Sequence, residues 1–330
     1  MIESIESIHF ENFKALRDST LPLGPCNILV GPNGSGKSTV LQALGILREY
    51  AREPLSRRAE LFSAAQRDNE SAVVRLRIKF AGVPSPAELA YVTNDGRFPQ
   101  VVAMEQVDWW SRMAVYNLDP SQIARPVALR KDMTLDPDGG NLAGVLDGLR
   151  DREPERWAAI QEELARWLPE FDRILFDTDD SGKRSIALRT REGRHEIAAA
   201  DLSQGTLIAL ALLTLTHLPH PPTLVALEEP DQGLHPWLLR RVQDAIYRLA
   251  YPKDCGESRP PVQVIATTHS PYFLDLFKDH PEEIVIANKV GDNVQFERLS
   301  DQPHMREIVG DAPVGELWYS GILGGVPASP

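Results

Sequence analysis

Residues 31–39 read Gly-Pro-Asn-Gly-Ser-Gly-Lys-Ser-Thr. A glycine, four residues, then Gly-Lys-Ser is the pattern of a loop that wraps the phosphates of a nucleoside triphosphate. Its surroundings fit. Asn27-Ile28-Leu29-Val30 is a short apolar run suited to a buried strand, and Val40, Leu41, Leu44 and Leu47 recur at helical spacing over 38–49. A loop between such a strand and such a helix can turn backbone N–H groups toward an anion, because Gly31, Gly34 and Gly36 carry no side chain and the helix start has unpaired donors. Asn33, Gly34, Ser35, Gly36, Lys37, Ser38 and Thr39 are therefore the expected phosphate-binding residues. Lys37 is expected to reach the β- and γ-phosphates and Ser38 to hold Mg²⁺ through its hydroxyl, with Thr39 as a further donor.

Three fragments downstream fit one reaction around this loop. The run Thr223-Leu-Val-Ala-Leu227 reads as a second buried strand and ends in Glu228-Glu229-Pro230. A carboxylate there suits a metal, and the next one suits the attacking water. Glu228 is assigned to Mg²⁺ and Glu229 to the water. Outside this context a Glu-Glu pair is a solvated strand end. The run Val262–Ala266 reads as a third strand, followed by Thr267-Thr268-His269-Ser270. His269 lies where it can contact the γ-phosphate and the water, although a lone histidine serves structural roles more often. Asp201-Leu-Ser-Gln-Gly-Thr206 opens the apolar segment 207–218. Ser203 and Gly205 there make either a second phosphate-binding helix start or a plain N-cap.

Together these residues resemble the ABC-type P-loop ATPases, in the SMC/RecF-like branch that is catalogued among AAA-family ATPases of the AAA_21 type. The resemblance implies a Walker A motif at 31–39, a signature at 202–206, a Walker B motif at 224–229, a D-loop near 231–236 and a switch histidine at His269. A pair of opening strands over 4–15 and the tail Gly-Glu-Leu-Trp-Tyr-Ser-Gly-Ile-Leu-Gly-Gly at 315–325 carry it toward both ends. It implies an α/β P-loop NTPase: an ABC-ATPase-like head with a mixed sheet core, an antiparallel β subdomain and a compact helical insertion. It further implies ATP and Mg²⁺ as cofactors, and a homodimer that sandwiches two ATP molecules so that Ser203 and Gly205 act in trans. The signature reads Leu-Ser-Gln-Gly-Thr in place of the family's Leu-Ser-Gly-Gly-Gln, and Glu228 stands where Asp is commoner. Gln66 is the expected Q-loop ligand to the metal.

Composition bounds the rest. With 330 residues the chain can bury a sizeable core, and 42% hydrophobic and 25% charged residues are ordinary for a globular protein. The net charge of −12 argues against a surface given over to phosphate contacts. Local basic runs remain, at Arg48, Arg52, Arg57 and Arg58 and at Arg75, Arg77 and Lys79. Cys26 and Cys255 have neither disulfide nor metal spacing. The first residues lack an apolar signal-peptide core, and the segment 207–218 is too short to span a bilayer, so a cytoplasmic protein without membrane insertion is expected.

Along the chain, 1–80 reads as the first ATPase lobe, 81–195 as a middle insertion and 196–330 as a second lobe with signature, Walker B and switch. The insertion holds Trp109-Trp110, expected in a core, then helices over 142–150 and 153–168 and strands at 174–176 and 185–191. No long heptad run encodes a coiled-coil arm. The leading functional expectation is ATP hydrolysis driving head dimerisation, with DNA or a separate effector or nuclease protein as candidate partners in repair or anti-phage defence. The alternatives are a nucleotide-binding subunit of a membrane transporter and an ATP-gated scaffold with little turnover. A GTPase reading fails at Asn288-Lys-Val-Gly-Asp292, where the acid falls one place late for guanine.

Overall fold

The computed structural model describes residues 4–52, 74–91, 101–102, 107–303 and 312–323. Gln66, Arg57 and Arg58 lie outside them.

Alternating burial builds the first sheet. In β1 (Ile5–Phe13), Ile8, Phe10 and Phe13 point inward, and β2 (Leu16–Pro22) pairs with it antiparallel. On the other side of β1 lies β4 (Val74–Phe80), which buries Val74, Leu76, Ile78 and Phe80 and turns Arg75, Arg77 and Lys79 outward. The period of two is that of a sheet with one covered face. β5 (Ala87–Tyr91) and β6 (Val101–Val102) complete the order β2-β1-β4-β5-β6.

The outward cations of β4 are paired. Arg77 reaches Glu11 at 2.6 Å and Glu88 at 3.2 Å, Arg75 reaches Glu11 at 2.9 Å, and Lys79 reaches Glu6 at 2.6 Å. Burial alone would raise the Glu11 carboxyl, but the hydrogen bond from Arg75 and the charges of Arg77 and Arg75 outweigh it and hold it below the usual range. This basic run is therefore neutralised within its own sheet, and a phosphate backbone would have to displace carboxylates to use it. In the other run, Arg52 donates through Nε to Ser111 O at 2.8 Å.

The second sheet is the one the phosphate loop needs. β3 (Cys26–Val30), β11 (Leu224–Leu227) and β12 (Gln263–Thr268) are buried at every residue. Strands covered on both faces read as unbroken apolar runs, and such strands pair parallel. β12 lies between β3 and β11, and β13 (Ile284–Val290) joins the other side of β3, also parallel. β14 (Asn293–Arg298) turns back antiparallel on β13 through Gly291 at φ 62°, so Asn288–Asp292 is the end of a hairpin. With β7 (Ala114–Tyr116) the order is β14-β13-β3-β12-β11-β7. The amphipathic α1 (Lys37–Arg52) buries Val40, Leu41, Leu44 and Leu47. The short α2 (Val107–Ser111) carries the Trp pair into the core, where Trp110 meets Phe80 edge-on with ring centroids 5.1 Å apart.

Two side chains act as staples here. Gln263 is buried; its Nε2 donates to Ile5 O and Gly24 O at 2.8 Å, and its Oε1 accepts from Ile5 N at 2.9 Å. Asn293 Oδ1 accepts from Arg17 N, Asp18 N and Ser19 Oγ, tying β14 to β2.

By its contacts the chain forms two compact units. One is 1–115, 222–228 and 249–330; the other is 116–221 and 229–248. These boundaries differ from the contiguous blocks 1–80, 81–195 and 196–330 drawn on the sequence, because the parallel sheet draws its strands from three distant stretches. The second unit holds α3 (Pro120–Ile123), α4 (Leu142–Arg152), α5 (Pro154–Trp167), α6 (Gln204–Thr216) and α7 (Pro236–Ala250) as far as Arg248. Its sheet is β10 (Glu196–Ala198), β9 (Arg184–Thr190) and β8 (Phe171–Thr178), in that order. The Gln161 amide of α5 bonds Ile174 N and O, so a side chain occupies part of the free edge of β8. α6 is buried from Gly205 to Thr216. Its end is fixed by buried His217, whose Nε2 lies 2.8 Å from Glu163, while Arg248 donates to the same carboxylate at 2.9 Å.

Two outcomes are expected for the first unit. Gln263→Leu strands the Ile5 amide and carbonyl, and denaturant titration is expected to show a loss of about 3 kcal/mol, the scale of buried unpaired backbone groups; a change below about 0.5 kcal/mol contradicts the staple. Alkaline pH provides the second test. Burial, then the Glu283 carboxylate, raises both the Cys26 thiol and the Tyr251 hydroxyl, which donates to Glu283 at 2.7 Å. Above about pH 8.5 an unfolded thiol loses a proton that the folded one keeps, and above about pH 10 the same holds for tyrosine, so stability falls as pH rises. Tyr251→Phe is expected to flatten that fall in urea melts at pH 8 to 11, and an unchanged slope refutes it.

Candidate nucleotide site

β3 ends at Val30 and the loop begins at Gly31. A Cβ on Gly31 would lie 2.4 Å from Ala287 O of β13 and 2.7 Å from Ser35 Oγ. One on Gly36 would lie 2.8 Å from Leu16. Gly34 and Gly36 have φ of 77° and 83°, which L side chains rarely adopt. The glycines are thus demanded by backbone shape and by close neighbours. Ser35 N bonds Pro32 O at 3.2 Å and closes the turn, and α1 starts at Lys37.

Lys37 is buried and folds back into the loop. Its Nζ donates to Gly31 O at 2.8 Å and Pro32 O at 3.0 Å, with Ser35 Oγ at 3.4 Å. Asn33, Gly34 and Ser38 are exposed and Thr39 is half-buried. The ammonium, the glycine cradle and the open side chains of the helix start form a donor set of the kind a triphosphate fits.

The parallel register places the next residues. Val30 pairs with Thr268, so Gly31 and His269 come next, side by side; Leu227 pairs with Ala266, so Glu228 emerges on the far side of β12. Two strand spacings put Glu228 about 10 Å across the sheet from the loop strand. Both Glu228 and His269 are half-buried. Lys37, Ser38, Glu228 and His269 therefore share one sheet edge, at the carboxyl ends of the strands, where open α/β sheets bind ligands.

Glu229 belongs to the second unit and has φ 43°, a left-handed conformation costly for a side chain of this kind. Its carbonyl accepts from Gln232 N at 2.9 Å, tightening the turn that leads to α7. Ser203 and Gly205 belong to this unit too. Ser203 is the N-cap of α6: its Oγ accepts from Thr206 N at 3.1 Å and lies 2.7 Å from Thr206 Oγ1. The capping alternative is thus realised, with Ser203 still exposed at the helix start. Gly205 is buried, and a Cβ there would lie 2.7 Å from Gly233 O. Steric need for the 229–235 loop to lie on the start of α6 accounts for this glycine.

Three residues carry structural roles that the sequence reading did not assign to them. Gly233, at φ 70°, forms the other side of the contact with Gly205. The backbone freedom required at Asn12 and Lys14, with φ of 55° and 52°, has no local signal. Lys14 Nζ donates to Gln42 Oε1 at 2.7 Å, one helical turn beyond Ser38 on α1. Gly-Leu-His-Pro at 233–236 was a signal for the first of these. Nothing in the sequence marked the other two.

The fold matches an SMC head crystallised with the C-winged helix domain of ScpA, with TM-score 0.59 and 16% identity over 89% of this chain and 96% of that one. It also matches the recombination mediator protein RecF with ATPrS, of the RecFOR pathway, with TM-score 0.50 and 11% identity over 89% of this chain and 98% of that one. At these identities the likeness establishes the fold alone, that of the SMC head and of RecF. A stretch of 43 residues is 44% identical to the OLD nuclease of Thermus scotoductus (strain ATCC 700910 / SA-01); it spans 13% of this chain and 8% of that protein. The family described as "AAA ATPase domain" matches residues 4–150. Residues 84–275, more than half of the chain, match a second family, and the protein belongs to it: "AAA domain, putative AbiEii toxin, Type IV TA system".

Proposed function

We propose that the protein binds ATP with Mg²⁺ and hydrolyses it, and that two copies close on two nucleotides to control a partner. The observation that carries this reading is the buried Lys37 ammonium, held inside a glycine cradle at the sheet edge on which Ser38, Glu228 and His269 also lie. A buried cation satisfied by loop carbonyls can exchange them for phosphate oxygens at little cost.

In this mechanism the amides of 33–39 and Lys37 hold the β- and γ-phosphates. Ser38 and Glu228 would hold Mg²⁺, which when bound offsets charge on the phosphates. Glu229 accepts a proton from water while the water oxygen bonds the γ-phosphorus, and the bond to the bridging oxygen of ADP breaks. His269 contacts the γ-phosphate and orients the water. Ser203, at the start of α6, meets the nucleotide of the partner copy, with Gly205 letting that helix start be presented. Gln66 remains a proposed ligand on sequence grounds alone.

Kinship with a family described by a toxin system, and the short match to a nuclease, support a role in defence or repair with a separate effector or nuclease as client. DNA is the second candidate client. Among the described residues no helix is long and apolar enough to cross a membrane.

Glu229→Gln keeps the side-chain size and removes the base. It is expected to lower turnover at least about 100-fold while ATP still binds, measured by phosphate release and by nucleotide titration. Specific turnover of the wild type is expected to rise with protein concentration, as sites completed across two copies require. Unchanged turnover in the variant removes Glu229 from the reaction, and concentration-independent turnover removes the shared site.

A further inference from the structure

We propose that the segment α9 (Val314–Tyr319) is a strap that positions His269, acting through α8 (Pro271–Asp275), with Gly315 and Asp275 as its two positioning residues. The proposal rests on the reading of His269 as the γ-phosphate contact. Both helices lie in the same compact unit as the phosphate loop.

His269 stands between the end of β12 and the start of α8. On the strand side Thr268 Oγ1 accepts from Ser270 N at 2.9 Å. On the helix side Ser270 Oγ accepts from Phe273 N at 3.2 Å and caps the helix. The backbone that carries His269 is therefore tied to where α8 sits. α8 has five residues, far fewer than the roughly 12 that a helix needs to persist alone. Contacts must hold it. Phe273, Leu274 and Phe277 are buried, with Phe273 and Phe277 edge-on at 5.3 Å.

A further hold comes from α9. Gly315 N donates to Asp275 Oδ1 at 2.7 Å. Gly315 also sits directly on the first residue of α8: a Cβ there would lie 2.2 Å from Pro271 O, 2.7 Å from its carbonyl carbon and 2.8 Å from its Cα. These are backbone atoms and cannot rotate aside. Any side chain at 315 must push the two helices apart. Val314 and Trp318 are buried, so α9 is itself anchored. The carboxylate of Asp275 thereby ties the element after the switch histidine to a segment forty residues downstream.

Hydrogen exchange and steady-state kinetics on the full chain test this together. Gly315→Ala and Asp275→Ala are expected to speed amide exchange across 268–277. They are also expected to lower kcat by about 10- to 100-fold, the scale for displacing a catalytic group by an ångström. KM and ADP affinity stay within about twofold, since ADP has no γ-phosphate. Asp275→Asn keeps the Oδ1 acceptor and is expected to behave as wild type. In a His269→Ala background, Gly315→Ala is expected to cost no further kcat. Exchange unchanged in both strap variants, or a full additional loss on top of His269→Ala, overturns the proposal. Should Gly315→Ala not fold, the contrast of Asp275→Ala with Asp275→Asn decides. Absence of turnover in the wild type would count against the ATPase reading alone, and the exchange comparison would still judge the strap.

Discussion

Four strands ending side by side are the constraint on which the rest of the molecule depends. β13, β3, β12 and β11 run parallel, so the residues just past the ends of three of them, Gly31, His269 and Glu228, emerge at one edge. Backbone pairing fixes that alignment; a shift of one residue would reverse every buried side chain. The glycines of the loop are then forced by neighbours: Gly31 lies on Ala287 of β13 and Gly36 on Leu16 of β2. The phosphate cradle is thus shaped by both sheets of its unit, and Gln263 and Asn293 lock those sheets at their ends.

In the second unit the loop that carries the proposed base also serves packing. Glu229 bears the backbone strain of a left-handed residue, and four positions later Gly233 rests on Gly205. The element bearing Ser203 is buried along its length and held at its far end by the Glu163 carboxylate. Burial would raise that carboxyl, but His217 and Arg248 outweigh burial and hold it below the usual range. A rigid α6 with an exposed, capped start is what presentation of Ser203 to another molecule requires.

Much of this was legible in the residues, and the reason is the same in each case. β3, β11 and β12 are mostly apolar because both faces are covered, with Asn27, Gln263, Thr267 and Thr268 as buried polar members, and α1 keeps to its 3.6-residue pattern to within three residues at either end. Trp109 and Trp110 went to the core as aromatics of that size do. What stayed hidden depends on long-range partners. The neutralising carboxylates Glu11 and Glu88 come from other strands than Arg75 and Arg77, so a basic run looked freer than it is. Likewise Gly205 reads as a ligand residue until Gly233 is seen above it, and Gly315 reads as part of a tail until Pro271 is seen beneath it. The division into units was hidden because the chain leaves and re-enters each one.

The central claim is that the buried ammonium of Lys37 exchanges its loop carbonyls for the phosphates of a nucleotide. Calorimetric titration of ATP with magnesium into the wild-type chain and into Lys37→Ala tests it most directly. Saturable binding by the wild type, weakened at least about 100-fold in the variant (near 2.7 kcal/mol), is the predicted result. Equal heats from the two proteins, or none from the wild type, would contradict it.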